Sequence, residues 1–254
     1  MSVKLSIGTW AYTFGKYADN PISMEEVARR LGELGFDGLS LGGFKPHGHP
    51  DLYPTKEDRR KLVDLFGSHG LKINSYAADL WSHPFADGDP EKAARYEEAF
   101  DRSLEMCVDC GIPIIRVDTV TQTPYPDDFD YQKSWNVVAG MFRKITDQAK
   151  KAGVLVVWEF EPGFIFNKPS EIVNMVRAVD DENFKLQCDT CHVQMCAVQG
   201  ARQYGEKETV AGQEEFFSMV RGMIGDVHLI DSDNTLHDDH TSTHAPFGEG
   251  VIDS

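Results

Sequence analysis

The feature that most constrains the fold is a regular alternation of short β-rich runs with longer segments of helical period. Seven such runs lie at residues 4–12, 36–44, 72–80, 113–120, 155–162, 185–193 and 226–233. Successive runs start roughly 30 to 43 residues apart, which is the spacing of βα units. Right-handed βα crossovers repeated this often close into a barrel or spread into a doubly wound sheet.

Helix boundaries between the runs follow from capping residues. Ser23 with Glu26, and Thr55 with Asp58, have the spacing of N-terminal capping boxes. Four glycines each stand before a β-rich run, where a left-handed residue ends a helix: Gly35, Gly70, Gly111 and Gly153. The local sequence therefore predicts where each helix begins and ends.

A (β/α)8 TIM barrel is the favoured architecture. No G-x-G-x-x-G motif follows the first run, and polar residues collect at the ends of several different runs. Barrels of about this length fold as one domain, so residues 1–254 are expected to form a single domain. The chain stops at GEGVIDS, before an eighth run, so we expect a barrel whose eighth strand is missing at an incomplete C-terminal end.

Charge and terminal sequence limit the partners. The net charge of -16 opposes contact with nucleic-acid phosphates or an anionic bilayer, which favours a small-molecule substrate. The N-terminus lacks the basic and apolar regions of a signal peptide, and no run of about 18 apolar residues follows. We therefore expect a cytoplasmic protein without nucleic-acid or membrane partners. An unclosed barrel edge would favour a homo- or hetero-oligomer.

Alternation of side chains along each strand separates inward from outward residues. In the fifth, sixth and seventh runs it directs Glu159, Asp189 and His228 to the inward face. Three metal-ligand types from neighbouring strands favour a divalent cation site. The alternatives are an ion pair between Glu159 and Arg116, and a hydrogen-bonded core histidine.

The motif CDTCH at residues 188–192 has two interpretations. As C-x-x-C-H it resembles a haem attachment site, whereas as D-x-x-H it places a carboxylate and an imidazole toward a metal and a sugar. Haem attachment requires export and alternation turns Cys188 away from Asp189, so we expect no haem. Cys107 and Cys110 close a helix at the opposite barrel face, which excludes a shared zinc site and predicts buried, reduced thiols.

Further candidates surround the predicted barrel mouth. Trp10 and Trp81 follow the first and third runs and could offer apolar faces to sugar C–H groups, although either could belong to the core. Arg116 faces inward on the fourth run. The segment 237–250 is expected to be a loop that brings His244, or else His237 or His240, to a ligand; the plainer interpretation is a solvated loop.

Four motifs in this order resemble the xylose isomerase-like barrels, a superfamily of sugar phosphate isomerases and epimerases. They are WEFEPG at 158–163, DTCH at 189–192, HLID at 228–231 and HAPFGEG at 244–250. The resemblance implies that Glu159, Asp189 and His228 hold one divalent cation, namely manganese, cobalt or magnesium rather than zinc. It implies a substrate contact and catalytic role for His192, and a fourth ligand, a glutamate on the eighth strand, which this chain does not contain.

The chemistry implied by the resemblance is proton abstraction next to the carbonyl of a sugar or keto sugar, through an enediolate, with Glu159 as one base. Such a site isomerises or epimerises. With a leaving group β to the carbanion it becomes a lyase, as in inosose dehydratases and 3-oxo-glycoside C-deglycosylases. Apurinic-site endonucleases share the barrel but need three zinc ions, and here Ser242 stands where they carry an aspartate ligand. A non-catalytic sugar-binding or assembly subunit is the remaining alternative.

Overall fold

The computed structural model describes residues 4–119, 125, 127 and 129–252. Parallel strands alternate with helices along the chain. The strands are β1 Ser6–Gly8, β2 Gly38–Gly42, β3 Lys72–Ala77, β4 Ile114–Val117, β5 Leu155–Glu159, β6 Phe184–Asp189 and β7 Ile224–His228. The helices are α1 Met24–Glu33, α2 Lys56–Ser68, α3 Pro90–Cys110, α4 Tyr131–Lys151, α5 Pro169–Val179, α6 Thr190–Val193 and α7 Gln213–Met219. Within the described ranges seven parallel strands are present, as the β-rich runs predict.

One compact unit comprises Met1–Asp79, Glu98–Arg116 and Ala149–Val154. Here β1, β2 and β3 pair in parallel in chain order, and β3 pairs with β4. The core of this unit includes Leu41 and Tyr76, both fully buried. The Tyr76 hydroxyl donates to the carbonyl of Gly48 at 2.8 Å, so the polar end of this buried ring is satisfied.

A second compact unit comprises Leu80–Glu97, Val117–Gln148 and Leu155–Ser254. In it β5, β6 and β7 pair in parallel in chain order. Trp158 on β5 is fully buried and lies 5.7 Å from the Phe142 ring of α4, measured between ring centroids. The apolar side chains of β5 therefore pack against a helix, which leaves the opposite face for Glu159. The single domain expected over residues 1–254 stays a prediction.

Predicted helix boundaries are confirmed at both ends. The Ser23 hydroxyl accepts a hydrogen bond from the Glu26 amide, and Thr55 forms a complete capping box with Asp58. The four glycines named from the sequence all have positive φ, between 66° and 78°. Short local motifs of this kind depend on few residues, so they can be recognised without tertiary information.

Three expectations are wrong in detail. Residues 190–193 form a helical turn rather than continuing the sixth strand, because Asp189 caps that turn. The segment expected to be a loop contributes to an antiparallel hairpin of β8 Asp231–Leu236 and β9 Ser242–Ala245. Val227 and Leu229, which alternation directs away from the face of His228 and hence toward the helices, are 43% and 63% exposed.

The end of α2 allows a test of the backbone argument. The Gly70 amide donates to the Gly67 carbonyl and the Leu71 amide to the Phe66 carbonyl, which is the Schellman pattern with Gly70 at φ 75°. A Cβ would meet nothing within 4 Å at either glycine, so only backbone conformation distinguishes Gly67 from Gly70.

We expect Gly70→Ala to lower the free energy of unfolding by about 1 kcal/mol, because alanine is strained in the left-handed region. Gly67→Ala should instead raise it by about 0.5 kcal/mol, because alanine loses less entropy in a helix. Urea unfolding of the two variants measures both changes. Equal effects would show that the left-handed conformation does not determine the end of α2.

Candidate active site

Asp189 is the residue from which the site is built. It ends β6 and is the N-cap of α6, where its Oδ1 accepts hydrogen bonds from the amides of Cys191 at 2.8 Å and His192 at 3.2 Å. An N-cap carboxylate satisfies amides that have no partner within the helix and interacts favourably with the helix dipole. The same side chain therefore ends the strand and determines where His192 lies.

Glu159, Asp189 and His228 meet at the ends of three successive strands. His228 Nδ1 lies 3.5 Å from Glu159 Oε1 and 3.7 Å from Asp189 Oδ2. Asp189 is opposite His228 in the parallel pairing of β6 with β7. Glu159 and Asp189 are only 5% and 3% exposed. Two buried carboxylates thus share one imidazole.

Gln187 connects these residues from the middle of β6. Its Nε2 donates to Glu159 Oε1 at 2.7 Å and lies 3.2 Å from His228 Nδ1. Gln187 is paired with Glu159 across the two strands and is two residues before Asp189, so it projects to the same face. The amide therefore restrains the Glu159 carboxylate.

His192 is held from two sides. Its Nδ1 lies 3.0 Å from the hydroxyl of Ser242 on β9, and its Nε2 lies 3.6 Å from Glu161 Oε1. Both His192 and Glu161 are buried. The ring centroid of His244 on β9 is 5.2 Å from that of His192. The hairpin thus brings a second imidazole to the site by a β-strand rather than by the expected loop, and the contact of His244 with a ligand stays a prediction.

The segment that follows β9 is organised by Asp231. Its Oδ2 accepts from the amides of Gly248 and Gly250, each at 3.1 Å, and its Oδ1 accepts from the amide of Ile252 at 3.0 Å. These bonds stabilise the charged form and hold the pKa of Asp231 below its usual value. Asp231 therefore anchors the polypeptide that continues from His244.

Electrostatics favour the cationic forms of His228 and His192, whereas burial lowers the pKa of His244. Burial opposes protonation of His228, but hydrogen bonds to Asp189 and Glu159 outweigh it and raise the pKa of His228 to about 10. Burial likewise lowers the pKa of His192, while the charges of Glu161 and Asp189 raise it more, so its pKa lies above the ordinary value. Positive charge is stabilised here because several carboxylates are buried together.

The donor set fits a divalent cation. Ligand atoms of Glu159, Asp189 and His192 all lie within 4.8 Å of one another. His228 also contacts both carboxylates, so an ion near them could reach either imidazole. Carboxylate oxygens with imidazole nitrogens suit manganese, cobalt, magnesium or zinc. A dication would offset the repulsion between two buried carboxylates.

The other predicted contacts stay predictions. Trp81 is 41% exposed and packs edge to face on Phe164, with 5.4 Å between ring centroids. Trp10, in the short helix Thr9–Tyr12, and Arg116, on β4, both belong to the first compact unit. His237 and His240 lie in the turn between β8 and β9, where the His240 amide donates to the His237 carbonyl at 2.9 Å.

All five cysteines are free thiols. Burial raises the pKa of Cys110 to about 11, and it raises the pKa of Cys188 and that of Cys191 to about 12. These thiols are therefore protonated near neutral pH. Cys107 is buried as expected, whereas Cys110, also expected to be buried, is only partly so.

Three residues of the cluster have no role predicted from the sequence: Gln187, Glu161 and Ser242. The bridging contact of Gln187 depends on the register of three strands. Ser242 enters the sequence interpretation only as the position of an absent aspartate ligand. The spacing of Glu161 two residues after Glu159 was the one usable signal, because residues at that spacing share a strand face.

Asp189→Asn should lower the affinity for a divalent cation by more than about tenfold, while Cys188→Ser should leave it nearly unchanged. Asparagine retains the capping oxygen, so α6 should persist and only the charge is lost. Elemental analysis after dialysis, with circular dichroism as the folding control, measures both variants. Equal losses would show that the two side chains do not face opposite ways.

Cation binding should release about one proton from His228 at pH 7, and release should fall toward zero as pH rises above about 10. In the metal-free protein, the protonated imidazole stabilises the fold fully below about pH 6.5, and this contribution is lost as pH rises through about 10. Calorimetric titration in two buffers of different ionisation enthalpy counts the protons. His228→Gln is the control, and unchanged release in it would contradict the assignment.

In the described part of the chain, no helix is both long and apolar enough to cross a membrane.

No curated protein matches the chain in sequence. Among solved structures, a D-psicose 3-epimerase in the presence of D-fructose aligns with a TM-score of 0.73 at 16% identity, covering 98% of this chain and 77% of that one. The Escherichia coli 3-keto-D-glucoside 4-epimerase YcjR aligns with a TM-score of 0.69 at 17% identity, covering 98% of this chain and 84% of that one.

The IolI protein with a bound zinc atom aligns with a TM-score of 0.73 at 16% identity, covering 99% of this chain and 81% of that one. Identities this low show a shared fold. The sequence profile of the family described as xylose isomerase-like TIM barrel matches residues 28–254, which is most of the chain. The protein therefore belongs to the xylose isomerase-like TIM barrel family.

Proposed function

We propose that this protein is a divalent-metal-dependent isomerase or epimerase that transfers a proton at the carbon next to the carbonyl of a sugar or keto sugar. The observation that carries the proposal is the meeting of Glu159, Asp189 and His228 at the ends of three strands, with His192 beside them. A buried carboxylate beside positive charge can act as a base while the substrate is shielded from water.

Glu159 is the proposed base. Gln187 donates to its Oε1, which restricts rotation of the carboxylate and keeps its orientation toward the reacting carbon. A carboxylate has two oxygens, so one can face a cation while the other accepts a proton. Removal of the proton leaves an enediolate, whose charge the protonated His192 imidazole stabilises.

Glu161 and His192 are the proposed second acid–base pair. The Glu161 carboxylate lies 3.6 Å from His192 Nε2 and favours the protonated imidazole. His192 can donate that proton or a hydrogen bond to a substrate oxygen, while Ser242 holds its other nitrogen. Return of the proton to the neighbouring carbon gives isomerisation, and return to the opposite face of the same carbon gives epimerisation.

Glu159, Asp189 and His228 would hold the cation, which when bound polarises the substrate carbonyl and its neighbouring hydroxyl and makes the C–H bond more acidic. Structural neighbours support the substrate class, since a D-psicose 3-epimerase and a 3-keto-D-glucoside 4-epimerase share the fold, and the IolI structure holds a metal. The net charge of -16 suits a neutral polyol better than a polyanion.

Incubation of the manganese-loaded protein in deuterated water with ketohexoses and 3-keto-glycosides should introduce deuterium next to the carbonyl. Glu159→Gln should slow the exchange by about 10²- to 10⁴-fold. Glu182→Gln is the matched control, because it makes the same change of charge at an exposed residue just before β6, opposite the end that carries Asp189. Mass spectrometry and NMR measure the exchange and its position.

The outcomes separate the alternatives. A new stereocentre supports an epimerase and a shifted carbonyl supports an isomerase. Exchange that is followed by loss of a β substituent would replace both with a lyase. Binding of a ketone without any exchange would favour a non-catalytic sugar-binding protein, and cleavage of abasic DNA instead would favour the endonuclease chemistry.

A further inference from the structure

A second group of ligand-type side chains lies beside the first and includes a thiol. The ligand atoms of Asp189, Cys191 and His244 all lie within 4.8 Å of one another. The Cys191 Sγ donates to the Thr243 carbonyl at 3.4 Å, so it faces β9, the strand that carries His244. Neither Cys191 nor this combination of residues has a role in the proposed reaction.

The arrangement arises from local geometry. Asp189 caps α6 by accepting from the Cys191 amide, which places the thiol within one turn of the carboxylate. The hairpin then brings His244 to the same end of α6, next to the His192 ring. Ligand atoms of a tetrahedral zinc site lie roughly 3.3 to 3.8 Å apart, given bonds of about 2.0 to 2.3 Å. Side-chain movements of about 1 Å would close the present cluster to that size.

We propose that Asp189, Cys191 and His244 form a second cation site that takes zinc or cobalt and shares Asp189 with the first site. A thiolate with an imidazole selects a borderline cation such as zinc over magnesium, which prefers oxygen donors. Binding replaces the thiol proton, which leaves with solvent, and changes His244 from a substrate contact to a ligand. A bridging carboxylate commonly joins two cations about 3.5 to 4 Å apart.

Cobalt(II) added alone to the metal-free protein tests the second site by a signature independent of catalysis. We expect two cobalt ions per chain and a near-ultraviolet thiolate-to-cobalt charge-transfer band. Cys191→Ser should remove the band and one ion. Cys188→Ser, the matched control, changes a buried thiol that alternation directs to the opposite face, and it should retain both.

His244→Ala provides a second test if Cys191→Ser does not fold, because His244 is exposed and its removal leaves the core intact. It should weaken cobalt binding at the second site, which gives the charge-transfer band, by more than about tenfold. Glu159→Gln should lose only the other ion and retain the band. One bound ion with no thiolate band would overturn the second site while leaving the first intact. A band that persists in Cys191→Ser would also overturn it, by assigning the thiolate to another cysteine.

Discussion

The two carboxylate oxygens of Asp189 make different contacts, and the site depends on both. Oδ1 accepts two amides from α6, and Oδ2 faces His228 at 3.7 Å. The first interaction ends β6 and begins the turn that carries Cys191 and His192, while the second joins β6 to the end of β7. Fixing the carboxylate by backbone bonds means that its charge is oriented before any ligand arrives, which lowers the cost of binding. Burial raises the pKa of Asp189, but the charge of the nearby His192 and the hydrogen bond to His228 lower it by more. The pKa therefore lies below its usual value and the carboxylate stays ionised.

Strand alternation separates this chemistry from the packing that supports it. Trp158, immediately before Glu159, turns away from the site and packs against Phe142 of α4. Complete burial of such a ring contributes about 1.5 to 3 kcal/mol and restricts movement of β5. The position of Glu159 is therefore set by an apolar neighbour as much as by its polar contacts. Truncation of Trp158 would leave a cavity and displace the Glu159 carboxylate, although it would change no reacting group.

Features that depend on residues close together in the sequence are easier to predict than those that depend on distant residues. The Thr55 capping box and the left-handed Gly70 involve residues a few positions apart, so the sequence predicts them directly. The convergence of Glu159, Asp189 and His228 was predictable because alternation and consecutive parallel strands constrain it. The β8–β9 hairpin was not predicted, because its strands carry no apolar alternation. Asp231 organises the chain after β9 through backbone amides 17 to 21 residues away. Register across strands, which brings Gln187 to Glu159, is likewise invisible in a single sequence.

The burial of several carboxylates in the site is better explained by binding of a ligand than by a contribution to folding stability. Glu159, Glu161 and Asp189 are buried within one cluster, and burial of several like charges costs more than hydrophobic residues of similar volume would. In the metal-free protein a protonated His228 offsets part of that cost, and the charges of the buried carboxylates raise the pKa of His192, so part of the stability is tied to the proton on His228 that a cation would displace. A bound cation thus replaces the positive charge of His228 and leaves that imidazole neutral, able to serve as a ligand, while Glu161 still favours the protonated form of His192. The exchange links charge compensation in the fold to acid–base function, because the carboxylates that stabilise positive charge in the metal-free protein are those that hold the cation and accept the proton in the proposed reaction.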